Sequence, residues 1–284
     1  MRANRASNTA KMVALWRALA DGGATSVPNF RDRFAADMLT GGWRLALRVF
    51  RKRFARMSAA ERMRAARPFD PIAMRVGVID AELIDAVAHG CTQVVILGAG
   101  FDTRAYRLDA LAGARVFEVD HPATQAEKRE RARALPSPKA QLIWTPVDFE
   151  RDSLAERLAA AGHDPAARTA WVWEGVVMYL ADDAVRATLD AIRARSAGGS
   201  VLILHYHEPS TTRLGRGVRS LLLSFVGEPQ IGTRWRAAMR ALTEGAGFTV
   251  AADLGITDQA AKLGAVAPDN DLARISRILV ARPS

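Results

Sequence analysis

Cysteine is almost absent from this chain. Cys91 is the only one in 284 residues, so no internal disulfide can form. It sits at the mouth of a strand-like run, where a small buried packing residue is expected rather than a reactive thiol. No stretch approaches 18 consecutive apolar residues, which excludes a helical membrane span. The amino terminus is basic, but Arg17 interrupts the apolar run at 12–16 and no small-residue cleavage site follows. A signal peptide is therefore not expected, and the expected compartment is the cytoplasm. Internal repeats and low-complexity segments are missing too. Acids are the scarcer charge: 30 Asp and Glu face 40 Lys and Arg, a net +10. Such an excess fits a nucleic acid, a membrane surface or an anionic substrate. It equally fits solvated arginine faces, the reading favoured by bases scattered through every predicted helix.

What is present is an ordinary globular composition, 49% hydrophobic and 25% charged, ample for one large domain or a domain with a cap. The organising stretch runs from Val94 to Arg104. Four apolar, mostly β-branched residues lead into Gly98-Ala99-Gly100, the pattern of a buried parallel strand ending in a tight turn. A helix starting near Thr103 offers unpartnered backbone N–H groups beside that turn. Together they form a nucleotide-type cradle. Thr103 stands where a dinucleotide fingerprint has its third glycine, which weakens the case for NAD or FAD.

Strand and helix patterns then alternate. Strands are predicted at about 93–98, 115–120, 141–147, 170–173 and 200–206, with two more at 248–254 and 275–281. Helices are predicted at 74–87, after Pro122 with a Thr124–Glu127 capping box, after Ser153, from 182 towards Gly198, and at about 233–245. Such alternation gives a parallel sheet with helices on both faces. Residues 1–75 read as a helical cap beside a sheet domain (76–284), and Pro68-Phe69-Asp70-Pro71 breaks the helical region. A stripe from Trp43 to Met57 backs onto a row of arginines. Residues 208–228, where Pro209, three glycines and the apolar Leu221-Leu222-Leu223 interrupt the rhythm, read as an inserted lid.

Ligands of open α/β sheets bind beyond the carboxyl ends of the strands. Gly98 and Gly100, Asp120, Asp148 and Glu174 all arrive at that edge. One carboxylate suits the hydroxyl pair of a ribose. Asp148 with Phe149 suits the amino group and face of an adenine. Several acids suit the cationic groups of S-adenosylmethionine and would repel a pyrophosphate, so the residues favour S-adenosylmethionine over NAD.

The string Leu97-Gly-Ala-Gly-Phe-Asp-Thr-Arg-Ala-Tyr-Arg-Leu108, then Phe117-Glu-Val-Asp-His-Pro122, then Glu174-Gly-Val-Val-Met-Tyr-Leu180 resembles the leucine carboxyl methyltransferase family. It is most similar to the bacterial branch of S-adenosylmethionine-dependent O-methyltransferases, which includes polyketide carboxyl methyltransferases. The resemblance spans residues 70–207 closely and the rest loosely. It implies a class I methyltransferase fold: an α/β, Rossmann-like, seven-stranded mixed sheet with an N-terminal helical cap and an inserted lid. It implies S-adenosyl-L-methionine as cofactor, leaving as S-adenosyl-L-homocysteine. By the same resemblance, Arg75 meets the cofactor carboxylate, Gly98 and Gly100 allow its close approach, and Asp120 takes the ribose. Asp148 and Phe149 flank the adenine, and Glu174 lines the amino-acid end. The family's N-terminal lysine has Lys11 near its place.

The expected reaction is O-methylation of a small molecule, at a carboxylate before a phenol or alcohol. A carboxylate is already ionised at neutral pH and needs no general base. Tyr179, His205, Tyr206 and His207 are expected to position the acceptor. His205 and His207 share a strand face with Glu208 nearby, but no metal is expected. An RNA methyltransferase is the alternative suggested by the charge. The chain has no Asn/Asp-Pro-Pro-Tyr motif and no evident aromatic stacking platform, so no nucleic-acid partner is expected. A non-catalytic cofactor-binding or membrane-surface module is the rival from another class.

Overall fold

The computed structural model describes residues 8–149, 151–210 and 232–284. Helices α1 (Asn8–Asp21), α2 (Gly41–Ala55) and α3 (Ala59–Ala66) precede α4 (Asp70–Ala88). Then come β1 (Gln93–Leu97), α5 (Arg104–Arg107), β2 (Arg115–Asp120), α6 (Pro122–Ala132), β3 (Gln141–Pro146), α7 (Leu154–Ala160), β4 (Thr169–Trp173), α8 (Asp182–Ala194) and β5 (Val201–His207). The chain closes with α9 (Arg236–Gly245), β6 (Phe248–Gly255), α10 (Ile256–Gln259), α11 (Asp271–Ile275) and β7 (Ser276–Pro283).

The seven strands form one mixed sheet in the order β3-β2-β1-β4-β5-β7-β6. The first five are parallel, while β7 runs antiparallel between β5 and β6. The chain leaves β1 first towards β2 and β3, then crosses to β4 and β5 on the other side. The crevice at that reversal is where such sheets bind ligands.

β1, β4 and β5 are buried along their whole length, so both faces must be covered. Side chains alternate between two cores. Val94, Ile96, Val172 and Ile203 pack under α4 with Met74, Ile79 and Leu83. Val95, Leu97, Trp171, Leu204 and Tyr206 pack on the opposite face with Leu158, Leu189 and Met239. A third cluster joins α1 and α2 through Leu15, Leu19, Met38, Leu47 and Phe54, and Phe101 from the glycine turn inserts into it. The cap therefore sits directly on the turn that follows β1.

Three local expectations are corrected. The break expected at Pro68–Pro71 separates α3 from α4, but the second helix starts earlier than the expected 74: α4 begins at Asp70 with Pro71 in its first turn, where a missing N–H removes no bond. The predicted Thr124–Glu127 capping box does not form. His121 caps α6 instead, accepting from the Ala123 N–H at 3.2 Å, with Pro122 in the first turn. Thr124 lies inside the helix and is buried. Residues 256–275, unassigned from sequence, carry α10 and α11. Ser153 caps α7 as expected, accepting from Glu156 N–H. Residues 211–228 of the expected lid lie outside the described residues.

Candidate active site

Two glycines shape the turn after β1. Gly98 has φ +67 and Gly100 φ +47, conformations that side-chain-bearing residues rarely adopt. A Cβ on Gly98 would stand 2.4 Å from Cγ2 of Val176, so the backbone approaches the β4 loop too closely for any other residue. A Cβ on Gly100 would meet Ala10 of α1 at 3.4 Å. Arg17 of α1 donates to the carbonyl of Phe101 at 2.6 Å. The first cap helix thus closes over the glycine turn.

Asp120 ends β2, the strand next to β1. Its carboxylate accepts the Gly100 N–H at 2.5 Å and the His121 N–H at 2.6 Å. Burial pushes this carboxyl above its usual value, and the two N–H groups pull it part of the way back. Asp148 and Phe149 lie just past β3 on the same edge. The Asp148 N–H donates to Asp152 at 2.8 Å, and Phe149 presents a half-exposed ring.

Glu174 follows β4 directly, on the other side of β1. Nε of Arg75, from α4, lies 2.7 Å from one carboxylate oxygen, and Arg104, from α5, lies 2.8 Å from the other. Burial alone would raise the Glu174 carboxyl. The guanidiniums of Arg104 and Arg75 override it and hold the acid below its usual range, ionised at neutral pH.

Behind this edge lies a network that sequence reasoning missed. Arg104 is 1% exposed and also pairs with Asp80 and Asp102. Arg107 pairs with Asp80 at 2.6 Å, and Asp32 accepts from Thr103 at 2.6 Å and pairs with Arg17 at 2.9 Å. Burial opposes the charge on Asp102, but Arg104, Lys128 and Arg17 hold it well below the carboxylate range. Asp102, Thr103 and Arg104 stood inside the quoted motif without assigned roles. Their short spacing was the available signal; partners at Asp32 and Asp80 lie too far off in sequence to be read locally.

Four further positions were expected to position the acceptor, and the structure divides them. His205 and His207 lie on the α4 face of β5, their rings perpendicular with centroids 5.0 Å apart. His205 is fully buried, and neither ring nitrogen has a hydrogen-bond partner among the described residues. Burial, then the charges of Arg75 and His207, keep its imidazole neutral at physiological pH. Tyr179 is half-buried in a short 3₁₀ turn, Val177–Tyr179, beyond β4. Tyr206 points the other way: strand alternation puts it on the α8 and α9 face, where its hydroxyl donates to Asp253 at 3.0 Å and accepts from Arg277 at 3.1 Å. The structure brings His205, His207 and Arg75 together and leaves Tyr206 out. Lys11 pairs with Glu127 at 3.4 Å. Among the described residues, no group of three or more His, Cys, Asp and Glu could hold a metal.

The donor set fits an adenosylated amino acid. An Arg75–Glu174 pair is the charge complement of an α-carboxylate and α-ammonium, and an acid at the end of β2 suits two vicinal hydroxyls. The glycine cradle, which a Cβ would fill, permits close backbone approach.

Residues 10–193 match the leucine carboxyl methyltransferase family. A Mycobacterium avium protein named as an S-adenosyl-L-methionine-dependent methyltransferase is 39% identical over 209 residues, covering 72% of this chain and 67% of the relative. A Frankia alni protein of the same description is 40% identical over 182 residues, covering 62% and 61%. Among solved structures, a methyltransferase from Thermobifida fusca superposes with a TM-score of 0.58 at 17% identity, covering 76% of this chain and 82% of that one. A DUF574 family protein from Streptomyces avermitilis gives 0.59 at 15%, covering 75% and 84%. At those identities the two structures speak for the fold alone.

Proposed function

This chain belongs to the leucine carboxyl methyltransferase family and is an S-adenosyl-L-methionine-dependent methyltransferase; from that premise we propose that it methylates an oxygen of a small molecule, a carboxylate in the first instance. The observation that carries the cofactor half is the placement of Asp120 and Glu174. Asp120 ends and Glu174 directly follows the two strands flanking β1, on either side of the Gly98–Gly100 turn.

In this reading Arg75 binds the cofactor carboxylate and Glu174 its ammonium, while Arg104 keeps Glu174 ionised and fixed. Asp120 turns its carboxylate from the Gly100 N–H to the ribose hydroxyls. Asp148 and Phe149 border the adenine. When bound, the cofactor supplies an electrophilic methyl group on a sulfonium. The chain then has to align an acceptor oxygen with that methyl and exclude water. A carboxylate acceptor arrives ionised, so no side chain need take a proton.

One observation favours a hydroxyl acceptor as a second reading. His205 is neutral, buried and unpartnered at both nitrogens, so it could accept a hydroxyl proton. Incubating the protein with methyl-labelled cofactor and paired panels of carboxylic acids and phenols separates the two. Transfer to acids that survives His205→Phe supports the first reading. Transfer to phenols alone, lost in that variant, replaces it with the second. Transfer to neither panel, but to RNA, overturns both.

A further inference from the structure

Helix α2 has an unusual charge pattern. Residues 38–60 contain no Asp or Glu, yet Arg44, Arg48, Arg51, Lys52, Arg53 and Arg56 fall within them. All six are exposed. Arg51 donates to the Ala18 carbonyl at 3.3 Å, and the other five have no carboxylate partner among the described residues. The contrast with Arg17, Arg75, Arg104 and Arg107 is sharp, since each of those is buried against an acid.

The helix also has two apolar faces where a surface helix needs one. Leu47 and Phe54 bury the inner face against α1, with Phe50 beside Trp16. Leu45 and Val49, one turn apart on the outer face, remain 60% and 57% exposed. At 100° per residue, Lys52 and Arg56 continue their line, with Arg48 and Arg53 on either side. Val49 and Met57 share a shallow groove of about 410 Å³ with Lys52, Arg53 and Arg56. An apolar strip edged by unpaired cations is the complement of an anionic amphiphilic surface.

We propose that the outer face of α2 docks the enzyme on an anionic lipid bilayer, with Leu45 and Val49 entering the acyl boundary and the surrounding bases meeting lipid phosphates. Charge complementarity alone would also admit RNA. The apolar strip decides against it: phosphate and ribose give Leu45 and Val49 nothing to bury against, and the helix's aromatic residues are turned inward, so no base could stack on them. This inference concerns the cap and stands whichever acceptor the active site takes.

The test is co-sedimentation of the full-length protein with vesicles of phosphatidylcholine alone and of phosphatidylcholine carrying about one-third phosphatidylglycerol, near the surface charge of an anionic leaflet. The protein should pellet with the second and not the first, and concentrated salt should release it. Reversing three bases together (Arg48→Glu, Lys52→Glu, Arg53→Glu) should weaken partitioning on the order of a hundredfold or more. Val49→Asn with Leu45→Asn should weaken it while leaving its salt dependence. Both variants change exposed side chains, so S-adenosylhomocysteine affinity and the thermal melt should match the parent. Equal pelleting with both vesicles, or an unaltered triple-reversal variant, overturns the proposal. So does salt-sensitive binding to single-stranded RNA without pelleting on anionic vesicles.

Discussion

Arg75 on α4 and Glu174 just past β4 stand 2.7 Å apart, binding the helix before β1 to the strand beside it in the sheet. Neither residue is exposed, and Arg104 completes the cluster. Glu174→Gln would leave two buried guanidiniums facing a neutral amide. Unfolding in urea should show a loss of about 3–5 kcal/mol, the cost of breaking a buried pair. Calorimetry should show S-adenosylhomocysteine binding roughly 10- to 100-fold weaker, since a charged hydrogen bond contributes about 1.5–3 kcal/mol. Affinity equal to the parent's would take Glu174 out of the cofactor site.

Gly98 tests the cradle separately from its charges. Gly98→Ala combines a left-handed residue with a methyl 2.4 Å from Val176. Gly23, at φ +84, has nothing within 4 Å of the equivalent Cβ. Gly23→Ala should cost only the conformational share, about 1–2 kcal/mol. Gly98→Ala should cost clearly more, and adding Val176→Ala should recover part of the difference. Chemical unfolding of the parent and these three variants measures this order; equal costs at both glycines would contradict the close approach.

Glu118 and Lys128 form a sealed pair at 2.5 Å, exposed 0% and 1%. Burial pushes the Glu118 carboxyl up, and Lys128 opposes the shift. Lys128→Met alone should destabilise the fold by about 3–5 kcal/mol, while Glu118→Leu with Lys128→Met should be neutral to about 4 kcal/mol stabilising. A double-mutant cycle in urea measures the coupling. If the double variant is as unstable as the single, the pair is worth more than its desolvation costs.

His163 gives the pH dependence a sign. It packs against Phe117 and Trp171, and burial followed by the charge of Arg195 lowers its pKa to about 4. The unfolded chain takes up this proton near pH 6.5 and the folded chain only near 4. The stability contributed is complete above 6.5 and is lost as the pH falls through about 4. One such group gives a slope of at most about 1.4 kcal/mol per pH unit across that window. His163→Phe should flatten the decline between pH 6.5 and 4 in urea unfolding. A slope identical to the parent's would assign the proton uptake elsewhere.

Much of the sheet was legible because each parallel strand carries its own signal. Strand-like runs ending in Gly98, Asp120 and Glu174 mark the ligand edge without any knowledge of partners. The limits are equally physical. β5 is buried on both faces, so alternation set His205 and Tyr206 on opposite sides but could not say which side lines the site; the two cores packed on β5 decide it. The ion network joins Asp32 in the cap and Asp80 on α4 to Arg104 and Arg107 after β1, contacts set by tertiary packing rather than by spacing. His121 displaced Thr124 as the cap because Pro122 fixed the first turn three residues earlier than the box required.

The most direct measurement is a calorimetric titration of S-adenosylhomocysteine into the parent protein and Asp120→Ala, with circular dichroism of both. Binding by the parent, and its loss by roughly 100-fold or more in a variant of unchanged spectrum, is the result expected if Asp120 holds the ribose through charge-assisted bonds. Equal affinities in the two proteins would contradict the site drawn at the ends of β2 and β4.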